Sequence, residues 1–552
     1  MKKYFKQLAG ILNLVFVLVF IISPANAKVN IKPYWEWGNS PKKLDWFVNY
    51  GWYNVKWDSE HTMMHNLIKQ KTGIDLKIMT PATDSNDKIN AMIAADDLPD
   101  MISGAAGSAP LENLKSSNKV WDLTELIRKY CPKAFSESVI PPSMPRNMAD
   151  RKDGKWYEYP TGYEAPENLK KNGVKPWSNA IIVARQDFMK KLNINPQTDF
   201  KTQDKMIATL KKFKNANITY KGVKVTPLLV GPEGGAWEAF GWMADTFFAI
   251  PSEDNKGNLI DTRTHPKKLE AILFGRKLYA EGLIPKENFT FQRKQIEEKL
   301  ASGTVFAFMG NKSDYQGAMW TAYQQDKNAK YIAAEPVRSK DGKDPAYTYG
   351  IGHGWAVTLI SKKSKDPATA IRFITWMYSD EGAILQEFGV ENKTFTVGKD
   401  GKIYLKKELL ELREKNYTEY QKKYGFGDFW WFPNDRNAGR YPPPQNESDV
   451  YYESLTSLMR KYGHFNELFE RLDLPAGSTL ATNAQQIDTY WNNQVPKMLL
   501  AKSDAEARKI YTETIAKMKK MGLDEIVKYR NQLFQANKKK AGYKFAWPEP
   551  HN

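Results

Sequence analysis

The sequence predicts an α/β fold whose C-terminal third is mostly helical. Short apolar stretches alternate with amphipathic stretches of helical period through most of the chain, which is the pattern of a mainly parallel sheet covered by helices. The C-terminal stretch keeps the helical period but has few strand-like runs. With 552 residues, of which 41% are hydrophobic, the chain is long enough for two to four globular domains.

The first 27 residues have the pattern of a secretory signal peptide. Three lysines precede an apolar run from Leu8 to Ile22, and Ala25-Asn26-Ala27 fits a cleavage site. The run of about 15 residues is shorter than the roughly 20 that span a bilayer, although an uncleaved anchor is the alternative. We expect a mature protein that is periplasmic or secreted. We expect no lipid-modified cysteine near the cleavage site, because the only cysteine is Cys131.

The mature chain opens with alternating strands and helices. A serine caps the first helix and a glycine ends it, as expected for helix termini. The predicted elements there are a strand at 29–31, a helix between Ser59 and Gly73, a strand at 74–78, a helix around 89–93 and a strand from Met101. Further strands are predicted at 180–183, 225–230, 305–308 and 355–360. Further helices are predicted at 123–130, 187–192, 204–213, 266–281, 368–378, 504–521 and 524–537.

The chain is basic, with 81 lysine and arginine residues against 63 aspartate and glutamate residues. A basic protein attracts anions over about one Debye length. Because export makes nucleic acid an unsuitable partner, an acidic oligosaccharide or an anionic cell surface fits better. The alternative is that the lysines only solvate the surface.

Four passages carry a resemblance to a known family. They are KINAMIAADDLPDM at 88–101, VWDLTELI at 120–127, DGKWYEYP at 153–160, and GWAV at 354–357 with DPATAIRF at 366–373 and SDEG at 379–382. In this order they resemble the extracellular solute-binding proteins, family 1, that bind oligosaccharides for ABC importers. The length and the helical C-terminal third are similar to its large members, such as the alginate-oligosaccharide-binding proteins.

The resemblance implies a two-lobed fold like that of periplasmic binding proteins of type II, in which a hinge closes the lobes over a ligand. By analogy the first lobe holds residues 28–160 and about 351–390, and the second holds about 161–350 and 391–552. Many large members bind calcium in a loop rich in Asp and Asn. The corresponding segment here, Lys214–Gly222, has no carboxylate, so we expect no metal there and no cofactor.

A sugar site needs aromatic platforms for the C–H faces and polar side chains for the hydroxyls. Adjacent aromatic residues at 429–432 lie in a loop rich in Gly and Pro, and strand ends such as Val230 open onto the ligand crevice in α/β folds. For these residues, packing onto the lobe surface is the alternative to ligand contact. The candidates in these two places are Trp430, Trp431, Arg436, Arg440, Trp237 and Trp242.

Other candidates lie near predicted strands or in an aromatic loop. In related chains the end of the strand at 305–308 supplies an Asp–aromatic pair, which the resemblance places at Asp314 and Tyr315. The remaining candidates are Asn311, Lys312, His353, Trp355, Trp52, Tyr53 and Lys56. A carboxylate or sulfate on the ligand would be bound by Lys312, Arg436 and Arg440.

Several other patterns resemble a metal site, a nucleotide-binding loop or a nucleophile but do not predict one. His61 and His65 have the i, i+4 spacing of metal ligands, but they are expected to face away from the apolar stripe and have no third ligand. Residues 350–354 imitate a dinucleotide-binding loop but precede a strand. We expect Cys131 to be an ordinary apolar residue rather than a nucleophile.

We therefore expect the substrate-binding component of an ABC importer, which is not an enzyme and delivers an oligosaccharide to permease subunits. A uronate-containing sugar is one candidate. We expect a monomer that contacts the membrane only through the permease and binds no nucleic acid. The alternatives are a secreted glycosidase or lyase, with Glu233 and Glu238 as candidate carboxylates, and a surface adhesin.

Overall fold

The computed structural model describes residues 40–83, 85–136, 139–150, 153–163, 178–231, 238–349, 354–432, 437, 439–469, 471–475 and 478–552. The expected signal peptide and the expected strand at 29–31 lie outside these residues. Among the helices of the described ranges, none is both long enough and apolar enough to cross a membrane.

The strands of the described residues are short, and several were predicted from the sequence. They are β1 Lys42–Val48, β2 Ile74–Met79, β3 Met101–Ala105, β4 Tyr159–Pro160, β5 Ala180–Arg185, β6 Thr219–Tyr220, β7 Val223–Lys224, β8 Thr226–Val230, β9 Val305–Asn311, β10 Tyr331–Ala333, β11 Tyr347–Tyr349, β12 Ala356–Ile360, β13 Phe395–Val397, β14 Ile403–Leu405 and β15 Gly463–Phe465.

The helices of the same residues become longest towards the C-terminus. They are α1 Met63–Thr72, α2 Asp87–Ala94, α3 Ala109–Ser116, α4 Leu123–Tyr130, α5 Lys133–Ser136, α6 Ser143–Met148, α7 Gln186–Lys191, α8 Gln203–Asn215, α9 Trp242–Phe247, α10 Pro266–Ala280, α11 Arg293–Ala301, α12 Lys312–Gln325, α13 Pro367–Tyr378, α14 Asp380–Phe388, α15 Lys407–Lys415, α16 Tyr417–Tyr424, α17 Glu447–Ser454, α18 Thr479–Leu499, α19 Asp504–Lys520 and α20 Leu523–Ala541.

The first sheet has five strands in the order β2-β1-β3-β12-β4. Strand β1 is parallel to both β2 and β3, whereas β12 is antiparallel to both β3 and β4. The sheet is therefore mixed rather than mainly parallel, because the chain returns to it from the second sheet and adds β12 in the opposite direction. Helix α13 then packs on β1 and β12.

Strand β1 is a central strand that the sequence analysis did not predict. Its sequence KKLDWFV buries Trp46, Phe47 and Val48 on both faces, so it lacks the alternation of a half-buried strand. The indole nitrogen Nε1 of Trp46 donates a hydrogen bond to Oγ of Ser103 in β3 at 2.8 Å. The polar end of an otherwise buried tryptophan is thereby satisfied within the sheet.

The second sheet has four strands in the order β10-β5-β9-β8. Strands β8 and β9 are parallel, and β5 and β10 join them in antiparallel pairs. All six residues of β5 are buried, and two hydrophobic clusters lie on the two faces of the sheet. The strands predicted at 180–183, 225–230 and 305–308 are thus confirmed.

The C-terminal helices pack against the second sheet's layer of helices. Helix α18 contacts α10, α19 and α20, and α19 also contacts α10. Helices α19 and α20 confirm the predictions at 504–521 and 524–537. They share a hydrophobic cluster with β8 and α8, so the helical third belongs to the core of the second sheet.

The segment from Leu409 to Phe432 packs with the first sheet instead. The rings of Phe429 and Phe432 lie 6.1 and 5.3 Å, centroid to centroid, from that of Trp46 in β1. The expected lobe boundaries remain a prediction. This packing favours moving α15, α16 and the loop after them from the second lobe to the first.

Candidate functional site

Three tryptophans from distant segments meet at one edge of the first sheet. The ring centroid of Trp52 lies 6.2 Å from those of Trp430 and Trp355, and the latter two are 6.0 Å apart. The rings of Trp52 and Trp430 are nearly parallel, at 17°. Trp52 and Trp355 are 47% and 53% exposed, and Trp430 is half-buried. We call these three residues the tryptophan platform.

The strand directions explain why these tryptophans converge. Trp52 follows the C-terminal end of β1, and Trp355 directly precedes the N-terminal end of β12. Because β12 runs antiparallel to β3 while β1 runs parallel to it, these two ends lie at the same edge of the sheet. The backbone N–H of Ala106, at the end of β3, donates to the carbonyl of Trp355 at 3.0 Å and fixes the platform to the sheet.

Two further candidates, Trp431 and Tyr53, lie beneath the platform and are buried. Trp431 is 0% exposed and stacks on Trp430 at 4.6 Å, and Tyr53 is 3% exposed and meets Trp431 edge-on at 5.6 Å. The expected ligand contact by these two side chains is therefore corrected, since neither reaches the surface. They support the platform from the core.

The second lobe presents the end of β9 and the first turn of α12. The side chain of Asn311 caps α12 by accepting from the N–H of Ser313 at 3.0 Å. The carboxylate of Asp314 forms an ion pair with Arg293 at 3.0 Å and is 14% exposed. Tyr315 is fully buried, so the expected ligand contact by its ring is also corrected. It packs in the cluster on one face of the second sheet.

Lys312 lies beside a cavity of about 1340 Å³ between α12 and α17 on one side and α15 and α16 on the other. Burial, together with the charge of Arg460, lowers the pKa of the Lys312 ammonium to about 8. The cavity has an aromatic wall that includes Trp320, Tyr417, Tyr420, Tyr441 and Tyr452.

A second cavity, of about 1000 Å³, lies between the lobes next to the platform. Its first-lobe wall includes Trp355 and Tyr157, and its second-lobe wall includes Tyr529 of α20. The guanidinium of Arg471, from the second lobe, crosses the gap and donates to the backbone carbonyls of Asn147 and Ala149. The charged residues that line this cavity are Glu112, Lys115, Asp150, Asp153, Lys155, Glu158, Arg471 and Asp473.

Lys115 is the centre of an ion-pair network in this cavity. Its ammonium lies 2.6 Å from Glu112, 3.1 Å from Glu158 and 3.7 Å from Asp150, and its side chain is 10% exposed. Although burial opposes it, the carboxylates of Glu158 and Glu112 raise the pKa of Lys115 above its ordinary value. Burial raises the pKa of Glu112. The network therefore keeps the ammonium of Lys115 charged and already paired with carboxylates of the protein.

Trp242 does not join the platform. It is 39% exposed and lines a separate cavity of about 830 Å³ within the second lobe, together with Trp491 and Arg530. Of the basic residues in its wall, Arg263 pairs with Asp261 at 2.6 Å.

The remaining candidates are dispersed or lie outside the described residues. Lys56 is exposed on the loop that carries Trp52. The guanidinium of Arg440 pairs with Asp380 at 3.2 Å, so a ligand carboxylate would have to compete with that contact. Three candidates fall outside the described residues: Trp237, His353 and Arg436.

Within the described ranges, no three or more His, Cys, Asp or Glu side chains are placed to hold a metal ion. His61 is exposed and pairs with Asp58 at 3.0 Å. His65 was expected to face away from the apolar stripe. This expectation is wrong, because His65 is 1% exposed and lies in the core. The segment expected to lack calcium ligands is the end of α8 and the β6–β7 hairpin.

The profile of the bacterial extracellular solute-binding protein family matches residues 63–386, which is more than half of the chain. The chain belongs to this family. The matched range includes Trp355, whereas Trp52 and Trp430 lie outside it. The platform of this solute-binding protein is thus completed by segments on either side of the matched range.

Three proteins similar to this solute-binding protein are distant from it in sequence, and two of them have a similar structure. Lipoprotein LipO of Bacillus subtilis (strain 168) is 22% identical over 494 residues, which cover 85% of this chain and 88% of LipO. The substrate-binding protein FusA of S. pneumoniae, in complex with kestose, is 16% identical, with a TM-score of 0.67 over 90% of this chain and 100% of FusA. The alginate-binding protein AlgQ2 is 19% identical, with a TM-score of 0.63 over 91% and 99%.

These likenesses establish the fold of this solute-binding protein. The expected two-lobed periplasmic-binding-protein-like fold, with a helix-rich C-terminal third, is confirmed. The family is one of extracellular proteins that bind solutes. That the protein catalyses no reaction remains a prediction. Of the candidate glycosidase carboxylates, Glu233 lies outside the described residues, and the side chain of Glu238 is not among those described.

Among the described residues that line the interlobe cavity, Trp355 was a candidate from the sequence and the others were not; Tyr157 and Arg471 are two of those missed. Tyr157 lies in the passage DGKWYEYP, which carried the family resemblance but was not taken as a site. Arg471 lies between short irregular segments and has no sequence signal, and its φ of 59° is in the left-handed region. Its place between the lobes follows from tertiary structure alone.

Proposed function

We propose that this protein is the substrate-binding component of an ABC importer and captures an oligosaccharide in the cleft between its lobes. The observation that carries the proposal is the tryptophan platform, whose indoles are partly exposed although they could have packed in a core. Monomeric soluble proteins rarely expose contiguous aromatic surface without a binding role. The platform borders an interlobe cavity of about 1000 Å³, which is large enough for several sugar rings.

The chemistry of the cleft suits a saccharide. A pyranose or furanose ring has an apolar C–H face that packs on an indole, and hydroxyls that need hydrogen-bond partners when buried. Trp52 and Trp355 offer the indole faces. Asn118 and the carboxylates of the cavity offer donors and acceptors, and the hydroxyl oxygen of Tyr157, which donates to Asp153, can still accept.

The structural neighbours support a saccharide ligand. FusA is described in complex with kestose, and AlgQ2 is described as alginate-binding. A solute-binding protein from Bifidobacterium longum infantis, 14% identical with a TM-score of 0.65 over 90% of this chain and 99% of that protein, is described as binding HMO. Their ligands differ, so the comparison favours an oligosaccharide without selecting one.

A neutral oligosaccharide is our first candidate, and a uronate-containing one is the second. Likeness to AlgQ2 and the basic composition support the second. The cavity beside Trp355, however, is lined by five carboxylates and three basic side chains, and Lys115 is already enclosed by carboxylates. A ligand carboxylate placed there would meet charge of its own sign.

We further propose that the ligand is delivered intact to permease subunits, after the lobes close over it, and that the protein acts as an exported monomer. Ligand shifts the balance between open and closed forms only by its greater affinity for the closed form. Arg471, which bridges the lobes beside the cavity, is placed to contribute to that difference.

Titration calorimetry against a panel of neutral, amine-bearing and uronate oligosaccharides tests the proposal. We expect one-to-one binding of one class with a Kd in the micromolar range or below, and mass spectrometry of the recovered sugar should show no change in mass. Absence of binding to every saccharide, or cleavage of one, would overturn the proposal. Binding of uronates in preference to neutral sugars would reverse the order of the two candidates.

A further inference from the structure

His65 is a buried histidine that the proposed sugar contacts do not use. Its Nδ1 lies 3.0 Å from the backbone N–H of Asp58, and its Nε2 lies 3.1 Å from Oδ2 of Asp428. Because a backbone N–H can only donate, Nδ1 accepts and carries no proton. The proton is therefore on Nε2, which donates to the carboxylate of Asp428.

Asp428 makes a second contact with the same region. Its backbone carbonyl accepts a hydrogen bond from the hydroxyl of Tyr53 at 2.7 Å. Tyr53 directly follows Trp52, and Asp428 precedes Trp430 by two residues. The Tyr53 bond therefore joins the loop that carries Trp52 directly to the loop that carries Trp430. His65, in helix α1, joins the same two loops a second time through its bonds to Asp58 and Asp428.

Aromatic packing fixes the orientation of the imidazole. The ring of Trp57, from the Trp52 loop, stacks on His65 at 4.7 Å and 15°, and Phe429, from the Trp430 loop, meets it edge-on at 5.5 Å. The imidazole thus lies between the two loops and contacts both. Its hydrogen bonds at opposite ring nitrogens leave one orientation that satisfies both partners.

We propose that His65 and Asp428 are positioning residues that set the spacing of Trp52 and Trp430, and through it the affinity for the saccharide. This inference rests on the proposed function. His65 acts without touching the ligand, because it is 1% exposed and lies behind the platform. Its contribution is to hold two indoles, 6.2 Å apart and nearly parallel, before a sugar arrives.

Two amide replacements separate the two hydrogen bonds of the imidazole. His65→Asn places an amide oxygen near Nδ1, so it keeps the bond from Asp58 and loses Asp428. His65→Gln places an amide nitrogen near Nε2, so it keeps the bond to Asp428 and loses Asp58. We expect His65→Asn to weaken saccharide binding about tenfold and His65→Gln to retain most of it.

A signal that needs no ligand completes the test. Neighbouring indoles give an exciton couplet in far-ultraviolet circular dichroism, and Trp52→Phe in the full chain identifies the part that belongs to Trp52. We expect the couplet to shrink in His65→Asn and to persist in His65→Gln. The melting temperatures of the two variants should be similar to each other. If wild type binds no saccharide, the proposed function fails, while the couplet still tests the positioning.

Equal couplets and equal affinities in wild type and His65→Asn would overturn the inference. So would parallel losses in both amide variants that merely follow a fall in melting temperature. If the His65 variants do not fold, Asp428→Ala and Asp428→Asn replace them, because that side chain is 13% exposed and tolerates truncation better. The alanine should then lose the couplet, and the asparagine, which keeps an acceptor oxygen, should retain it.

Discussion

Neighbouring aromatic residues of one loop occupy different environments. Trp430 is half-buried in the platform, whereas Trp431 is fully buried against Tyr53 and the β1 residue Trp46. Truncating an exposed indole removes a ligand contact, but truncating a buried one leaves a cavity. Substituting an exposed tryptophan therefore tests ligand binding, and substituting a buried one tests stability.

Trp355→Ala is expected to weaken saccharide binding by about tenfold or more and to leave the melting temperature nearly unchanged, because half of that side chain is exposed. Trp431→Ala is expected to lower the free energy of unfolding by about 3–5 kcal/mol. Calorimetry and urea unfolding of both variants check this. Equal destabilisation by both, or unchanged binding in Trp355→Ala, would contradict the assignment.

The pKa of Lys312, lowered from 10.5 to about 8, links stability to pH. In the folded protein the ammonium loses its proton near pH 8, whereas in the unfolded chain it keeps the proton to about pH 10. The unfolded chain thus binds more protons between these values, and the free energy of unfolding gains from this group as pH rises through that window. Below it the charged ammonium carries its full desolvation cost.

Lys312→Met is therefore expected to raise the free energy of unfolding at pH 7 by about 1–3 kcal/mol, and this advantage should shrink towards pH 10. Urea unfolding at several pH values gives the free energy of unfolding of wild type and variant. In the difference between these two free energies, the contributions of the other titrating groups cancel. A difference that does not change with pH would show that burial of the ammonium is not the cause.

At the residue scale, the sequence supplied aromatic candidates for the cleft but did not predict which of them come together or which are exposed. Trp52, Trp355 and Trp430 were candidates because they lie near strand ends or in an irregular loop, and the structure brings them within about 6 Å. Burial of Tyr53, Tyr315 and Trp431 could not be predicted, because a loop has no periodicity that identifies its inner face.

At the element scale, helix α20 and the chain after it are joined to the second lobe by a buried ion pair. The ammonium of Lys538 lies 2.7 Å from Oε1 of Glu253, and Oε2 of Glu253 accepts from the N–H groups of Ala546 and Trp547 at 2.6 and 3.0 Å. Both charged side chains are nearly inaccessible, so each depends on its partner.

Lys538→Met is expected to lower the free energy of unfolding by about 3–5 kcal/mol, because it leaves the carboxylate of Glu253 buried without its cation. The exposed neighbour Lys539, replaced in the same way, is a matched control and should change stability by less than about 0.5 kcal/mol. Urea unfolding compares the two. Equal effects would mean that the buried pair adds nothing to the attachment of the C-terminal segment.

Elements with strong local signals were predicted well. The helices at 123–130, 266–281 and 504–521 have clear caps or apolar stripes, and the structure places helices at Leu123–Tyr130, Pro266–Ala280 and Asp504–Lys520. Strand β1 was missed because it is buried on both faces and includes Asp45. Its pairing with β2 and β3, rather than its own pattern, makes it a strand.

At the scale of the whole molecule, the basic composition does not predict the charge of the cleft. The chain has a formal net charge of +18, but the cavity beside Trp355 is lined by more carboxylates than basic side chains. Net charge describes the long-range field of the protein, whereas the ligand meets the groups of the cavity. The fold follows from family resemblance and from periodicity, while the ligand depends on these local groups.

Ligand binding is expected to reduce the radius of gyration measured by small-angle X-ray scattering, because a ligand with greater affinity for the closed form shifts the balance towards it. Arg471→Ala should reduce the affinity, since it removes the two hydrogen bonds that this guanidinium donates to Asn147 and Ala149 of the first lobe. An unchanged radius of gyration at saturation would contradict closure in solution, unless the free protein already has the radius of the closed form.

The most direct measurement is a crystal structure of the protein with the saccharide that binds most tightly in calorimetry. We expect one sugar ring to pack its C–H face on Trp52, Trp355 or Trp430, with its hydroxyls bonded to the wall that includes Tyr157. A saccharide bound away from all three indoles would contradict the account.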